Sequence, residues 1–228
     1  MTESLLEIEG QKFFVRDSTN DSDVVRSCRT EYMLPNMDGY EPGSFVLDIG
    51  SHIGGFSLWA LQKYHQCRVI AVEPIPENQV QFMKNVELNG LQDRVTLLRG
   101  AVWKKSEPTV VIPYGDESTE SGRIHRWIGN VTGMPQSHTQ HVVARSMSLK
   151  DVMEGVPKVW CLKSDGENNE YPMFEESDPE LLRSIKWIIG EHHRGIEPIR
   201  NVLRIIFNEH PSPQGYFCFE NPLPFRVL

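Results

Sequence analysis

The chain is poor in cysteine: Cys28, Cys67, Cys161 and Cys218 are scattered through 228 residues. No Cys-x-x-Cys and no Cys/His ligand spacing occurs, which speaks against a zinc site of the usual kind. Cys161 sits inside an apolar run and is expected in the core. No stretch approaches the roughly 18 apolar residues that a membrane helix needs. Met1-Thr2-Glu3-Ser4 has no basic segment leading into an apolar one, so the expectation is a cytoplasmic protein with no membrane partner. Positive charge is also in deficit. Lys+Arg 23 against Asp+Glu 31 gives a net charge of −8, which disfavours broad binding to nucleic acid or anionic lipid. Internal repeats and low-complexity segments are missing. A hydrophobic content of 39% and a charged content of 24% fit one α/β domain with a sizeable core.

What is present is an alternation of apolar strands and helices. Phe45 to Ile49 reads as a strand, and Gly54 to about Tyr64 as a helix. Arg68 to Glu73 is a second strand, and Glu77 to Asn89 a helix closed by Gly90. Val95 to Leu98 is a third strand. Val159 to Leu162 and Trp187 to Ile189 are the fourth and fifth, with helices expected at Glu170 to Glu176 and Glu197 to Phe207. Tyr216 to Phe219 and Phe225 to Leu228 are expected as a final strand pair. Such a rhythm predicts right-handed βαβ units and a mostly parallel sheet covered on both faces. Residues 1–43 form a lead-in, expected to act as a substrate lid, with a helix starting near Asp23. Residues 44–228 form the main domain, with an insertion at about 104–147. In that insertion Val110 to Ile112 and Val142 to Ala144 read as short strands, and Ser148 to Asp151 as a capping box. Lys104-Lys105 and Arg123-Arg126 are expected on the surface. His125, His138, His141 and Trp127 fall in its polar loop, with Trp127 placed to cover a substrate ring.

The chemistry concentrates in Phe45-Val46-Leu47-Asp48-Ile49-Gly50-Ser51-His52-Ile53-Gly54-Gly55. Strand, glycine turn and helix bring backbone close to a ligand. Ligands of an open parallel sheet bind at the carboxyl ends of its strands, and here those ends carry Asp48, Glu73, Asp165 and Glu191. Glu73 follows Asp48 by 25 positions, close to the ~20-residue spacing of an acid that holds a nucleoside ribose. The turn lacks the Gly-x-Gly-x-x-Gly of dinucleotide sites, and no Walker lysine is present. An acid before the turn suits a cationic ligand rather than a diphosphate. S-adenosylmethionine, with its sulfonium and ammonium, meets that description.

The residues Phe45 to Gly54 resemble motif I of class I S-adenosylmethionine-dependent methyltransferases. Val69 to Asn89 with Glu73-Pro74 and Glu77-Asn78, then Val95 to Val102 and Leu162-Lys163-Ser164-Asp165-Gly166-Glu167, resemble the FkbM type in particular. Arg16 to Asp21 with Glu31-Tyr32 is similar to that family's N-terminal pattern. One departure is Asn168-Asn169, which replaces a small Gly-Ala pair. The resemblance implies a Rossmann-like sheet of seven strands with an antiparallel C-terminal strand. It also implies methyl transfer from S-adenosylmethionine, usually to a hydroxyl of a small molecule or saccharide. By the same resemblance Asp48, Gly50 and Ser51 would line the methionine part and Glu73 would hold the ribose, with Gly54 and Pro74 also at the cofactor. Gly100, Ala101 and Val102 would lie beside the adenine. Asp165 would lie near the methionine amine and the acceptor.

A neutral alcohol needs a base or a metal to take its proton. The expected base is His193, with His192 second, and Asp165 is the third catalytic candidate. Asp165, Glu191 and His193 form the alternative, a site for a divalent metal such as Mg²⁺. Glu167 and Glu170 are further acids on the same turn. Competing readings are N-methylation of RNA or protein, and a nucleoside-binding module without catalysis. A nicotinamide dehydrogenase is disfavoured by the glycine spacing.

Overall fold

The computed structural model describes residues 2–17, 19–104, 107–118, 124–128 and 140–223, and for 115–118, 124–128 and 140 the backbone alone. The lead-in is a hairpin of β1 (Glu3–Ile8) and β2 (Gln11–Arg16), followed by α1 (Asp21–Glu31). Then come β3 (Phe45–Ile49), α2 (Gly55–Lys63), β4 (Arg68–Glu73), α3 (Pro76–Leu88), β5 (Val95–Arg99) and β6 (Ala101–Val102). The insertion supplies β7 (Thr109–Ser118), β8 (Ile124–Ile128) and β9 (Gln140–Met147). After α4 (Leu149–Val152) the main sheet resumes with β10 (Val159–Ser164), α5 (Glu170–Glu175), α6 (Pro179–Arg183), β11 (Ile185–Glu191), α7 (Glu197–Leu203), β12 (Asn208–His210) and β13 (Tyr216–Glu220).

Seven strands form the main sheet in the order β12-β13-β11-β10-β3-β4-β5. The five from β11 to β5 are mutually parallel, whereas β13 runs antiparallel to both β11 and β12. Every residue of β10 is buried, as are four of the five in β3. Helices cover both faces, so these strands read as continuous apolar runs rather than alternating ones. Chain order reverses between β3 and β10, which opens the ligand crevice at their carboxyl ends.

The insertion sheet has the order β6-β9-β7-β8. β7 and β9 pair antiparallel, Val110 with Ala144, Val111 with Val143 and Ile112 with Val142. Alternation sends Val110, Ile112 and Ala144 into a small core with Trp103, and leaves Val111 and Val143 exposed. Ser148 and Asp151 form the expected capping box at α4. His141 is exposed on β9. Lys105, Arg123 and His138, and the side chains of His125, Arg126 and Trp127, lie outside the described residues.

The lead-in is continuous with the main core. Phe13, Val15, Val25, Cys28 and Tyr32 share one apolar cluster with Val46, Phe56, Leu58 and Cys161. The helix α1 starts at Asp21, two positions before the expected Asp23. The C-terminal region differs more. α7 stops at Leu203 rather than Phe207, because Asn208–His210 leave the helix to pair with β13. β13 therefore finds its partners in β11 and β12. The expected strand Phe225 to Leu228 lies outside the described residues.

Candidate active site

The turn after β3 is built on positive φ angles. Gly50 has φ +75°, and a Cβ there would stand 1.8 Å from the carbonyl oxygen of Asp165. Only glycine lets β3 and β10 close over the switch point at this distance. The Gly50 and Ser51 N–H groups both donate to Val72 O, at 3.0 and 3.1 Å. His52 takes φ +50°, and Gly54 at φ +94° precedes α2. The Ser51 hydroxyl is buried and has no hydrogen-bond partner among the described residues.

Asp48, expected from the sequence as the counter-charge of a cationic cofactor, has protein partners of its own. It is fully buried, accepts from Ser57 Oγ at 2.6 Å and lies 3.2 Å from Lys163 Nζ. Its charge is already answered by a lysine of the neighbouring strand. Lys163 has no role in the sequence motif as such and gains one from its place in the fold. Buried on β10, it donates to Gly50 O at 2.7 Å and stands 3.6 Å from Asp165 Oδ2. Burial pulls its pKa down, but Asp48 and Asp165 outweigh that and hold it above the usual lysine value. A lysine directly after the apolar run Val159 to Leu162, still within the strand, is the signal in the sequence, since a buried charge must find a partner.

Glu73 ends β4, the neighbour of β3 at the carboxyl edge of the sheet, and is 1% exposed. Its Oε2 accepts the His52 N–H at 2.8 Å, and its Oε1 accepts the Ile75 N–H at 2.9 Å and Asn78 Nδ2 at 3.2 Å. Burial pushes the carboxyl up to about 7, against the pull of those donors. A carboxylate has about four acceptor positions, so Oε2 keeps capacity for a hydroxyl. Pro74 is half-buried beside it. The three residues expected at the adenine are less open than their motif suggested. Gly100 backs onto Arg145 O of β9, and Ala101 and Val102 pair with Ser146 and Met147. Val102 packs in the main core with Leu47 and Ile49. Ala101 alone stays partly exposed.

On the other side of the switch, β10 and β11 bring four acids around one histidine. The Asp165 carboxylate accepts the Tyr32 hydroxyl at 2.6 Å. His193 Nδ1 lies 3.1 Å from Glu170 Oε1, and its Nε2 lies 3.2 Å from Glu167 Oε2 and 3.9 Å from Glu191 Oε1. Burial lowers the His193 pKa, but the bond to Glu170 and the charge of Glu167 carry it up to about 9. The acids around it thus favour the protonated imidazole, which bears on its expected role as base. The expected metal set changes as well. One donor atom each from Asp165, Glu167 and His193 lie within 4.8 Å of one another, so Glu167 stands where Glu191 was expected. His192 joins no ion pair among the described residues, and its N–H donates to Gly215 O at 2.9 Å. The turn Glu167-Asn168 runs at φ +56° and +81°. Asn168-Asn169, the departure noted in the sequence, occupy this turn, and Asn169 packs on Gly166. Tyr32 and Tyr216 meet edge to face at 5.4 Å above the cluster, which places the lead-in beside it.

Three comparisons bear on this geometry. A segment of 48 residues is 40% identical to "Methyltransferase 1" of Beauveria bassiana (strain ARSEF 2860), and spans 21% of this chain and 19% of that relative. Among solved structures, the chain resembles M. capricolum TrmK in complex with S-adenosyl-homocysteine (TM-score 0.45, 10% identity, 90% of this chain and 70% of that one). It also resembles precorrin-6y C5,15-methyltransferase of Geobacter metallireducens GS-15 (TM-score 0.46, 9% identity, 90% of each chain). Both scores are low, so the fold assignment rests on the strand order above. A family profile described as "Methyltransferase FkbM domain" matches residues 48–213, which includes the glycine turn, Glu73, Asp165 and His193. The chain belongs to the FkbM methyltransferase family.

Proposed function

We propose that the protein transfers the methyl group of S-adenosylmethionine to a hydroxyl of a small molecule or saccharide. The observation that supports this reading most is the clamped His193. Its Nδ1 is held by the buried Glu170, so its Nε2 faces Glu167 and Asp165 across the switch from the glycine turn. A carboxylate that fixes one ring nitrogen and turns the other toward further ligand groups is the arrangement that orients a metal-ligating histidine.

The residues fit the cofactor that the family implies. Glu73 retains acceptor capacity for the ribose, and the unpartnered Ser51 hydroxyl and the turn Gly50 to Gly54 would hold the methionine end. When bound, S-adenosylmethionine supplies an electrophilic methyl on a sulfonium. The protein then has to align an oxygen with that carbon, keep water away and take one proton. Asp165, Glu167 and His193 would hold a divalent cation of the Mg²⁺ class, which acidifies a hydroxyl bound to it. Tyr32 fixes the Asp165 carboxylate by its 2.6 Å bond. The net charge of −8 and this acidic wall disfavour a polyanionic acceptor such as RNA.

The test is an acceptor screen with methyl-labelled S-adenosylmethionine over phenols, sugars, glycosides and amines, run with Mg²⁺, with Mn²⁺ and after chelation. Label on a hydroxyl acceptor, lost on chelation and restored by the ion, is the expected result. Label on amines alone overturns the O-methyl reading. Full turnover in chelator overturns the cation.

A further inference from the structure

The family match begins at Asp48, yet the carboxylate of Glu73 is held from well before it. Arg16, at the end of β2, forms a two-pronged ion pair with Asp21. Nε donates to Oδ2 and Nη2 to Oδ1, both at 2.7 Å, and the Arg16 backbone N–H adds a third bond to Oδ2 at 3.0 Å. The same Nη2 donates to Asn78 Oδ1 at 2.9 Å, and Asn78 turns its Nδ2 onto Glu73. Asp21 Oδ1 also lies 3.8 Å from His52 Nε2, on the residue whose backbone N–H reaches the other oxygen of Glu73. Arg16, Asp21, Asn78 and Glu73 are all buried.

A hairpin does not need such a pair to dock. Apolar residues of similar size would fill the place without removing two charges from water. One donor is also left over. Arg16 Nη1 is buried and has no hydrogen-bond partner among the described residues. A charged donor in that position is costly unless something accepts from it.

We propose that Arg16 belongs to the adenosine subsite: its free Nη1 donates to an acceptor on the bound nucleoside, while its pairing with Asp21 and Asn78 fixes the carboxylate that receives the ribose. The lead-in thereby becomes part of the cofactor pocket. This rests on the reading that Glu73 holds the ribose of S-adenosylmethionine.

The experiment is calorimetry on the full chain with S-adenosylhomocysteine and with 5′-deoxy-5′-methylthioadenosine, for the native protein and for Arg16→Lys. Lysine keeps the charge and loses the fork. Both ligands are expected to bind about tenfold or more weakly to the variant, the size of one lost charged hydrogen bond. The KM for S-adenosylmethionine should rise by a similar factor with kcat nearly kept. A variant with a lower melting point but unchanged affinity for both ligands overturns the proposal and leaves Arg16 a structural residue. Should Arg16→Lys not fold, hydrogen exchange of the native chain decides. S-adenosylhomocysteine is expected to protect the amides of 14–22 together with those of 50–54 and 73–78, and unchanged exchange at 14–22 overturns the proposal. A native protein that binds neither ligand overturns the cofactor assignment itself.

Discussion

Replacing Lys163 by methionine isolates what the buried charge does. Methionine keeps most of the stem and removes the ammonium. The Asp48 carboxylate, fully buried, then keeps only the Ser57 hydroxyl. Breaking a buried pair by removing one partner costs ~3–5 kcal/mol, because the remaining charge is uncompensated. Gly50 O would lose its 2.7 Å donor as well. For a domain of this size ~1 kcal/mol moves the melting point by about 2–4 °C, so Lys163→Met should lower it by roughly 6–20 °C. The double variant Asp48→Asn/Lys163→Met no longer buries a lone charge and should regain a large part of the loss. Urea unfolding of the native protein, both single variants and the double closes the cycle. The pair should stay formed across neutral pH, since the fold raises the Lys163 pKa and its contribution fades only as pH climbs through that raised value. A loss below about 1 kcal/mol, the size of a solvated pair, or strictly additive effects in the cycle, would refute the argument that Asp48 is held by Lys163.

Glu73→Gln should weaken S-adenosylhomocysteine binding by about 10–100-fold, the range of a hydrogen bond to a charged group, and should flatten its pH dependence. In the native protein that affinity is expected to rise with pH and level off above about 7, where the buried carboxyl is ionised. The stability of the free protein runs the other way. A carboxyl held neutral by the fold contributes fully below its unfolded value near 4.5 and loses that contribution as pH rises through about 7. Thermal melts of both forms between pH 5 and 8 check this sign. Gly50→Ala sets a Cβ 1.8 Å from Asp165 O at a φ of +75°. It should either fail to fold or separate β3 from β10 and abolish cofactor binding, and native-like affinity would show the close approach to be wrong.

The main sheet was legible because its strands are buried on both faces, so Phe45 to Leu47, Val69 to Val72 and Val159 to Leu162 stand out as unbroken apolar runs, each followed by a charged residue. The short edge strand Asn208–His210 carries no such run, and it exists because β13 offers it hydrogen bonds. The acids at the strand ends were legible by position. Their partners were not, because each partner comes from a distant segment. Lys163 answers Asp48, Asn78 and His52 answer Glu73, and Tyr32 answers Asp165.

The sequence by itself determined the alternation of strand and helix, the glycine turn between Asp48 and Gly55, and the acid at the end of the second strand of the repeat. Local backbone preferences and hydrophobic patterning act within a few residues, and these features need nothing more. Only the tertiary structure decided which charges are spent inside the protein and which are left for ligands. Asp48 is spent on Lys163, whereas Glu167 rather than Glu191 stands with Asp165 and His193. The His193 imidazole is drawn toward its protonated form because Glu167 and Glu170, from the segment after β10, close on its ring. Charge state in a protein interior is set by neighbours across the fold, and those neighbours are fixed by the packing of the sheet.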